Sequence, residues 1–420
     1  MKPQSAGAAD NEFLIRTRRP AVVGVCATLA RRLAFATILF GVWAACLGMT
    51  QAEAADPSTV DVFVGGLEGY PVYRIPSLIC TPKGVLLAFC EARRVLEDQG
   101  PTDLVLKRSL DGGRTWGPLQ VIVKAAPEAA MNPTAVIDRS TGAIILVYDR
   151  WPEMPKGRQP GDFKRAPGLG RDSITVWITT SGDAGATWSA PVDITATTKR
   201  AEWAEVGHGP GVGIQTRSGR LVIPCFETRP VGGKWGTSWN FAIFSDDHGR
   251  TWRLSDNEVG PGVNETQAVE LADGTLLLNM RSDTDKGCRV GAASKDAGRN
   301  WSAPFGISEL PDTGCQASIL RYTWPDPQGG KSRILFCNPV RPGRSEGTVR
   351  LSYDEGKTWP VAKMIGRDYF GYCCLTAMPD GLIGCLFEAS GCRRIAFQRF
   401  SLEWLSDGQD SLKGGNATNH

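Results

Sequence analysis

Aspartates recur at fixed spacing in this chain, and their chemistry is the first question. The pattern Ser-x-Asp-x-Gly-x-Thr-Trp occurs at Ser109/Asp111/Gly113/Thr115/Trp116, Ser181/Asp183/Gly185/Thr187/Trp188, Ser245/Asp247/Gly249/Thr251/Trp252 and Ser352/Asp354/Gly356/Thr358/Trp359. A further copy, Ser294/Asp296/Gly298/Asn300/Trp301, has asparagine in the threonine place. Such acidic turns can ligate a cation or tie a turn. They lack the alternating Asp/Asn ligands and distal glutamate of a calcium loop. The aspartate therefore reads as an acceptor for turn N–H groups, the glycine as the residue that takes positive φ, and the tryptophan as interstrand surface. With three histidines and no zinc-like Cys-x-x-Cys pair, neither a metal site nor another cofactor is expected. The side chains left for chemistry stand between the boxes: arginines, which suit a carboxylate ligand, and carboxylates and tyrosines, which can move protons or attack.

Those side chains need a scaffold. Apolar, strand-like runs such as Leu104-Val105-Leu106 and Ile174-Thr175-Val176-Trp177-Ile178 precede the boxes. The boxes lie roughly 50–70 residues apart, too far for one hairpin but right for a four-stranded blade. Val60 to Trp404 has room for six blades. The expected fold is all-β, a six-bladed β-propeller of four-stranded antiparallel blades. The blade without a box is expected to close the ring with both chain ends.

The boxes, together with Tyr73-Arg74-Ile75-Pro76 near the first strand, resemble the Asp-box repeats and the Arg-Ile-Pro motif of the exo-α-sialidases. The resemblance runs through residues 60–404. It implies three arginines holding the carboxylate that sialic acid carries on its anomeric carbon: Arg74, Arg281 in Leu278-Asn279-Met280-Arg281-Ser282, and Arg344 upstream of Thr348-Val349-Arg350-Leu351-Ser352, with Arg341 a competitor in the same loop. It implies a tyrosine nucleophile at Tyr372, before Cys373-Cys374-Leu375 and the later Gly384-Cys385-Leu386-Phe387-Glu388, with Tyr369 nearby. A neutral phenol avoids the repulsion an anionic nucleophile would meet beside that carboxylate. The activating glutamate matches Glu265, with Glu270 a rival expected to be solvated. The acid/base matches Asp98, with Glu97 and Asp103 close by. Arg93 matches the contact to the ring 4-hydroxyl, and Asn132 a stretch beside the N-acetyl pocket. Phe226, Thr228 and Val212 depart from the family pattern without removing a catalytic group. The implied substrates are sialylated glycans. A binding-only lectin would keep the arginines and lose Tyr372, Glu265 or Asp98; a hydrolase of a related 2-keto acid sugar would keep them all.

The N-terminus is different. Arg16, Arg18, Arg19, Arg31 and Arg32 precede an apolar run from Leu33 to Leu47 and then Ala52-Glu53-Ala54, the order of a secretory signal peptide. The expected organisation is a signal peptide at 1–54, the propeller at 55–408 and a disordered tail at 409–420, with export to the periplasm or medium. Membrane contact is expected only if the first segment stays as an anchor. Residues 55–420 carry 41 basic and 41 acidic side chains, so nucleic acid is not an expected partner. Ten cysteines remain after residue 54; some disulfides are plausible in an oxidising compartment, though most sit in apolar strand patterns and read as small buried hydrophobes. The sequons at Asn264, Asn300 and Asn416 read as chance matches.

Overall fold

The computed structural model describes residues 57–412, apart from 156, 158–165, 232–233 and 285–286; the expected signal segment lies outside the described residues. The architecture is all-β. One sheet begins with Val72–Cys80, Leu86–Arg93 and Thr102–Ser109 and continues into Ala129–Ile137, Ile144–Trp151 and Thr175–Ser181. A second holds Glu205–His208, Leu221–Val231 and Lys234–Ser245, and a third runs in chain order from Val263–Glu270 to Phe305–Pro311. The last sheet starts at Ser318–Thr323 and passes through the 17-residue strand Val361–Ala377. That strand pairs with Ser345–Ser352 along its first half and with Ile383–Ala389 along its second. The strand Thr59–Val64, from the other end of the chain, pairs antiparallel with Arg394–Phe400 and covers what would be an open edge.

Each box has the same hydrogen bonds. In the first, Ser109 Oγ accepts from Gly113 N at 2.8 Å, and Asp111 accepts from Thr115 N at 3.0 Å and from Thr115 Oγ1 at 2.6 Å. Asn300 preserves the last bond in the degenerate copy, its Nδ2 donating to Asp296 at 2.9 Å. The box glycines take φ near +80°, where a Cβ is strained; at Gly113 a Cβ would also lie 2.1 Å from the Phe397 ring. The tryptophans stitch neighbouring strand sets together: Trp116 meets Phe397 at 5.4 Å and Trp188 meets Phe89 at 5.7 Å between ring centres. Every box joins the third and fourth strands of a set. The set ending in Thr59–Val64 has no box because its fourth strand comes from the far end of the chain.

Asp247 shows what the turn contributes. Burial would raise its carboxyl, but the Thr251 and Ser245 bonds outweigh that and hold it down at about 2. A folded-state value below the unfolded one adds stability above pH about 4, lost as pH falls towards 2. Asp247→Ala is expected to cost about 1 kcal/mol in urea unfolding at neutral pH, with kcat unchanged. The difference from the parent should shrink below pH about 4.

The ten described cysteines are all free thiols, so the plausible disulfides are not formed among them. Cys373 and Cys374 show why two adjacent cysteines are useful here. Successive strand residues face opposite sides. Cys373 packs with Cys337 and Cys385 in one core, whereas Cys374 packs against Leu78 in the next. At the C-terminus the packed chain continues past the expected boundary at 408. Asp410 is buried and accepts from Arg333 Nε and Nη2, both at 2.7 Å.

Candidate active site

The site residues share a local backbone device. Pairing registers slip between Arg74 and Ser77, between Met131 and Thr134, between Val263 and Thr266, and between Phe370 and Cys373. The slips bracket or adjoin Arg74, Asn132, Glu265 and Tyr372. Bulges of this kind re-aim a side chain out of the ladder. Ile75 and Asn132 take φ of 58° and 53° there, and Arg344 takes 57° in its hairpin turn.

Five of the expected residues converge. The Tyr372 hydroxyl donates a short hydrogen bond to Glu265 Oε1. Arg281 Nη1 donates to Glu265 Oε2 at 2.9 Å and to the Tyr372 oxygen at 3.4 Å. The guanidinium carbons of Arg74 and Arg344 each lie 5.2 Å from the centre of the Tyr372 ring. Burial first, then the Glu265 charge, pushes the phenol well above its usual range despite the arginines, so the resting group is neutral. Glu265 is positioned to take its proton.

Arg74 is fixed from behind by a residue for which sequence reasoning gave no role. Glu388 is fully buried and accepts from Arg74 Nε at 3.0 Å and Nη2 at 3.3 Å, from Ile75 N at 3.0 Å and from Tyr372 N at 3.2 Å. Burial alone would raise this carboxyl, but the Arg74 charge and the hydrogen bonds hold it below the usual carboxylate range. Its signal was available: a glutamate in the otherwise apolar run Ile383–Ala389 must have a partner.

The remaining residues form an adjoining group around Glu91, also buried and also missed. Glu91 pairs with Arg93, and its carboxylate accepts from Arg93 Nε and from Asn132 N, both at 2.7 Å. Arg93, 1 % exposed, extends Nη1 to Asp98 at 2.8 Å, while Asp98 itself is 65 % exposed. Asn132 Nδ2 donates to Asp149 at 2.8 Å, and Asp149 pairs with the buried His208. The two groups adjoin, since Arg74 stands opposite Glu91 in the pairing of Val72–Cys80 with Leu86–Arg93.

The competitors hold other partners. Arg341 is 66 % exposed and pairs with Glu346. The Tyr369 hydroxyl meets Cys392 Sγ at 3.1 Å. Asp103 is buried in the strand Thr102–Ser109, accepting from Tyr70 Oη and Ala125 N, both at 2.8 Å, and Glu97 is exposed. Glu270, expected to be solvated, is instead buried at the opposite end of its strand, accepting from Arg217 N at 2.8 Å. It lines a separate hollow with Arg139, Arg321 and Trp324. Of the departures, Thr228 is buried on Ser238 at 3.1 Å and Val212 pairs in parallel with Ala135.

Comparison with known proteins decides what this constellation belongs to. Residues 84–385 match the BNR repeat-like domain. An exo-alpha-sialidase of Aspergillus fumigatus is 31 % identical over 86 % of this chain and 90 % of its own length. The chain belongs to the sialidase family. A Micromonospora viridifaciens sialidase is 36 % identical over 82 % of the chain, which spans only 54 % of that relative. Among solved sialidase structures, the Hadza microbial sialidase Hz136 superposes with a TM-score of 0.71 at 30 % identity, covering 80 % of this chain and 67 % of that one. The four strand bulges therefore lie in a sialidase scaffold.

Proposed function

We propose that this chain is a retaining exo-α-sialidase that hydrolyses terminal α-linked sialic acids of glycoproteins, glycolipids and oligosaccharides through a tyrosine nucleophile. The observation that carries the reading is the Tyr372 hydroxyl bonded to Glu265 with Arg74, Arg281 and Arg344 around it. The fold belongs to the proposal as a six-bladed propeller of four-stranded blades. Its support is the four-strand sets that follow each other along the chain and the Thr59–Val64 strand that joins the last set. The basic, then apolar N-terminal order supports export, with the segment 1–54 as signal peptide.

In the proposed sequence the substrate carboxylate lies between the three guanidinium groups, and Arg93 and Asn132 contact the far side of the ring. Tyr372 Oη attacks the anomeric carbon as its proton passes to Glu265, and the bond to the leaving oxygen breaks as Asp98 protonates that oxygen. The glycosyl–tyrosine bond is then cleaved by water, whose proton goes to Asp98, while Glu265 returns its proton to the phenolate oxygen. Two inversions give retention. The exposed, Arg93-tethered Asp98 suits both halves of this cycle, since it needs access first to an aglycone and then to water.

The test is release of a fluorogenic phenol from an α-linked aryl sialoside by the purified protein. Turnover by the parent is expected; a parent inert on every sialoside removes the enzyme reading and leaves a sialic-acid lectin. Asp98→Ala is expected to lose about 10²–10⁴-fold in kcat/KM, which reports the first step, on natural linkages. On an aryl sialoside, whose phenol leaves without full protonation, the loss should be at least tenfold smaller. Equal losses on both substrates would remove Asp98 as the general acid.

A further inference from the structure

Glu265 and Tyr372 come from strands that do not pair with one another: Val263–Glu270 pairs with Leu276–Ser282, and the second half of Val361–Ala377 pairs with Ile383–Ala389. The contact between their side chains therefore depends on something else that holds the two strands at the right distance. Backbone bonds next to both residues lead to one short segment, His208–Val212.

On the glutamate side, Thr266 N donates to Gly209 O at 2.8 Å, and Gln267 Nε2 donates to Pro210 O at 2.9 Å. On the tyrosine side, Cys373 N donates to Gln316 Oε1 at 2.9 Å. Gln316 Nε2 donates back to Cys373 O at 3.0 Å and to the same Pro210 O at 3.2 Å. The segment is held in turn by Ser77 Oγ donating to Gly211 O at 2.6 Å, by Thr134 Oγ1 donating to His208 O at 2.9 Å, and by Gly209 N donating to Pro224 O at 2.8 Å. Strands bearing Arg74, Asn132, Glu265 and Tyr372 all reach it. Gly211 is required there, because a Cβ would lie 1.9 Å from Gln267 Nε2 at a φ of +124°.

We infer that Gln316 and Gln267, meeting on Pro210 O, are positioning residues that set the distance between the Tyr372 phenol and the Glu265 carboxylate. This rests on the sialidase reading proposed above. Gln316 suits the task because it is buried and its amide can face only one way. Its oxygen takes an N–H and its nitrogen faces two carbonyls, so a flipped amide would oppose like groups on both sides. Two of the three clamp arginines have supports outside the bridge, Glu388 behind Arg74 and Gly314 O for Arg344, and only Arg281 leans on Glu265. Loss of the glutamine bridge should therefore impair attack far more than carboxylate binding.

The experiment uses Gln316→Met and Gln267→Met, which keep much of the side-chain volume and remove the amide, and Gln316→Glu, which keeps the acceptor for Cys373 N and removes the donor. Folded protein is selected by circular dichroism. Then kcat on an aryl α-sialoside is compared with the dissociation constant of 2-deoxy-2,3-dehydro-sialic acid, a carboxylate-bearing probe. A fall in kcat of at least tenfold with probe affinity within threefold of the parent is expected. Parent kcat in any folded variant overturns the inference, and so does a parallel loss of kcat and probe affinity, the mark of general loosening. A parent that binds the probe but turns over no sialoside would overturn the sialidase reading instead.

Discussion

Tyr372→Phe is expected to lower kcat on an aryl α-sialoside by on the order of 10³-fold or more, while affinity for a carboxylate-bearing inhibitor changes little. The substitution removes one oxygen. Arg281 keeps its 2.9 Å bond to Glu265, and Arg74 keeps Glu388, so the guanidinium groups have no reason to move. What is lost is the atom that would form the covalent bond. Glu265 Oε1 is left without its donor beside the reacting centre, where it can orient a water molecule. Residual turnover should therefore proceed by direct attack of water with a single inversion. Proton NMR of the first sugar released is the decisive reading: α-anomer from the parent, β-anomer from the variant. A variant within tenfold of the parent that still releases the α-anomer first would exclude Tyr372 as the nucleophile.

Glu388→Ala is expected to be the most damaging single change outside the reacting groups. It removes a buried carboxylate that serves a guanidinium and two backbone N–H groups, leaving a mostly buried cation and two orphaned donors. Breaking one partner out of a buried pair costs about 3–5 kcal/mol. Since the Glu388 carboxyl is held below its ordinary range, its contribution to stability is present above the unfolded value, near pH about 4.3, and is lost as pH falls further. Unfolding profiles of parent and variant should thus lie far apart at neutral pH and approach each other in acid. Catalysis should fall too, in kcat/KM, by roughly 10²-fold, because Arg74 loses its support and the backbone at Tyr372 loses an anchor. Stability within 1 kcal/mol of the parent at pH 7 would contradict the assigned role.

The repeated boxes made the all-β scaffold legible, because each encodes its own turn: serine and aspartate acceptors, a positive-φ glycine and a tryptophan for the neighbouring strand set. The site was legible where a short motif accompanied the residue, as with Arg74, Glu265 and Tyr372. It was not legible where the partner is remote. Glu388 finds Arg74 across 314 residues, and nothing local to either distinguishes a support from a solvated charge. Glu270 was misread for the same reason, since the turn after it looks exposed while Arg217, from another sheet, covers it. The bulges left little trace, because a register slip is a property of two strands. Ile75 and Asn132 take positive φ there, and of the two only asparagine is a residue type that favours that conformation. The cysteine count left some crosslinks plausible, but the apolar strand patterns marked most cysteines as small buried hydrophobes, and the strands turn the neighbouring thiols Cys373 and Cys374 to opposite faces, where they fill space.

The pairing of Thr59–Val64 with Arg394–Phe400 has a kinetic consequence. A ribosome makes the first of these strands more than three hundred residues before its partner. Early hairpins can form as they emerge, but the earliest strand must wait, and its unpaired edge is a template for wrong partners throughout synthesis. Shortening or loosening that strand should therefore harm yield before it harms the catalytic rate of the molecules that mature.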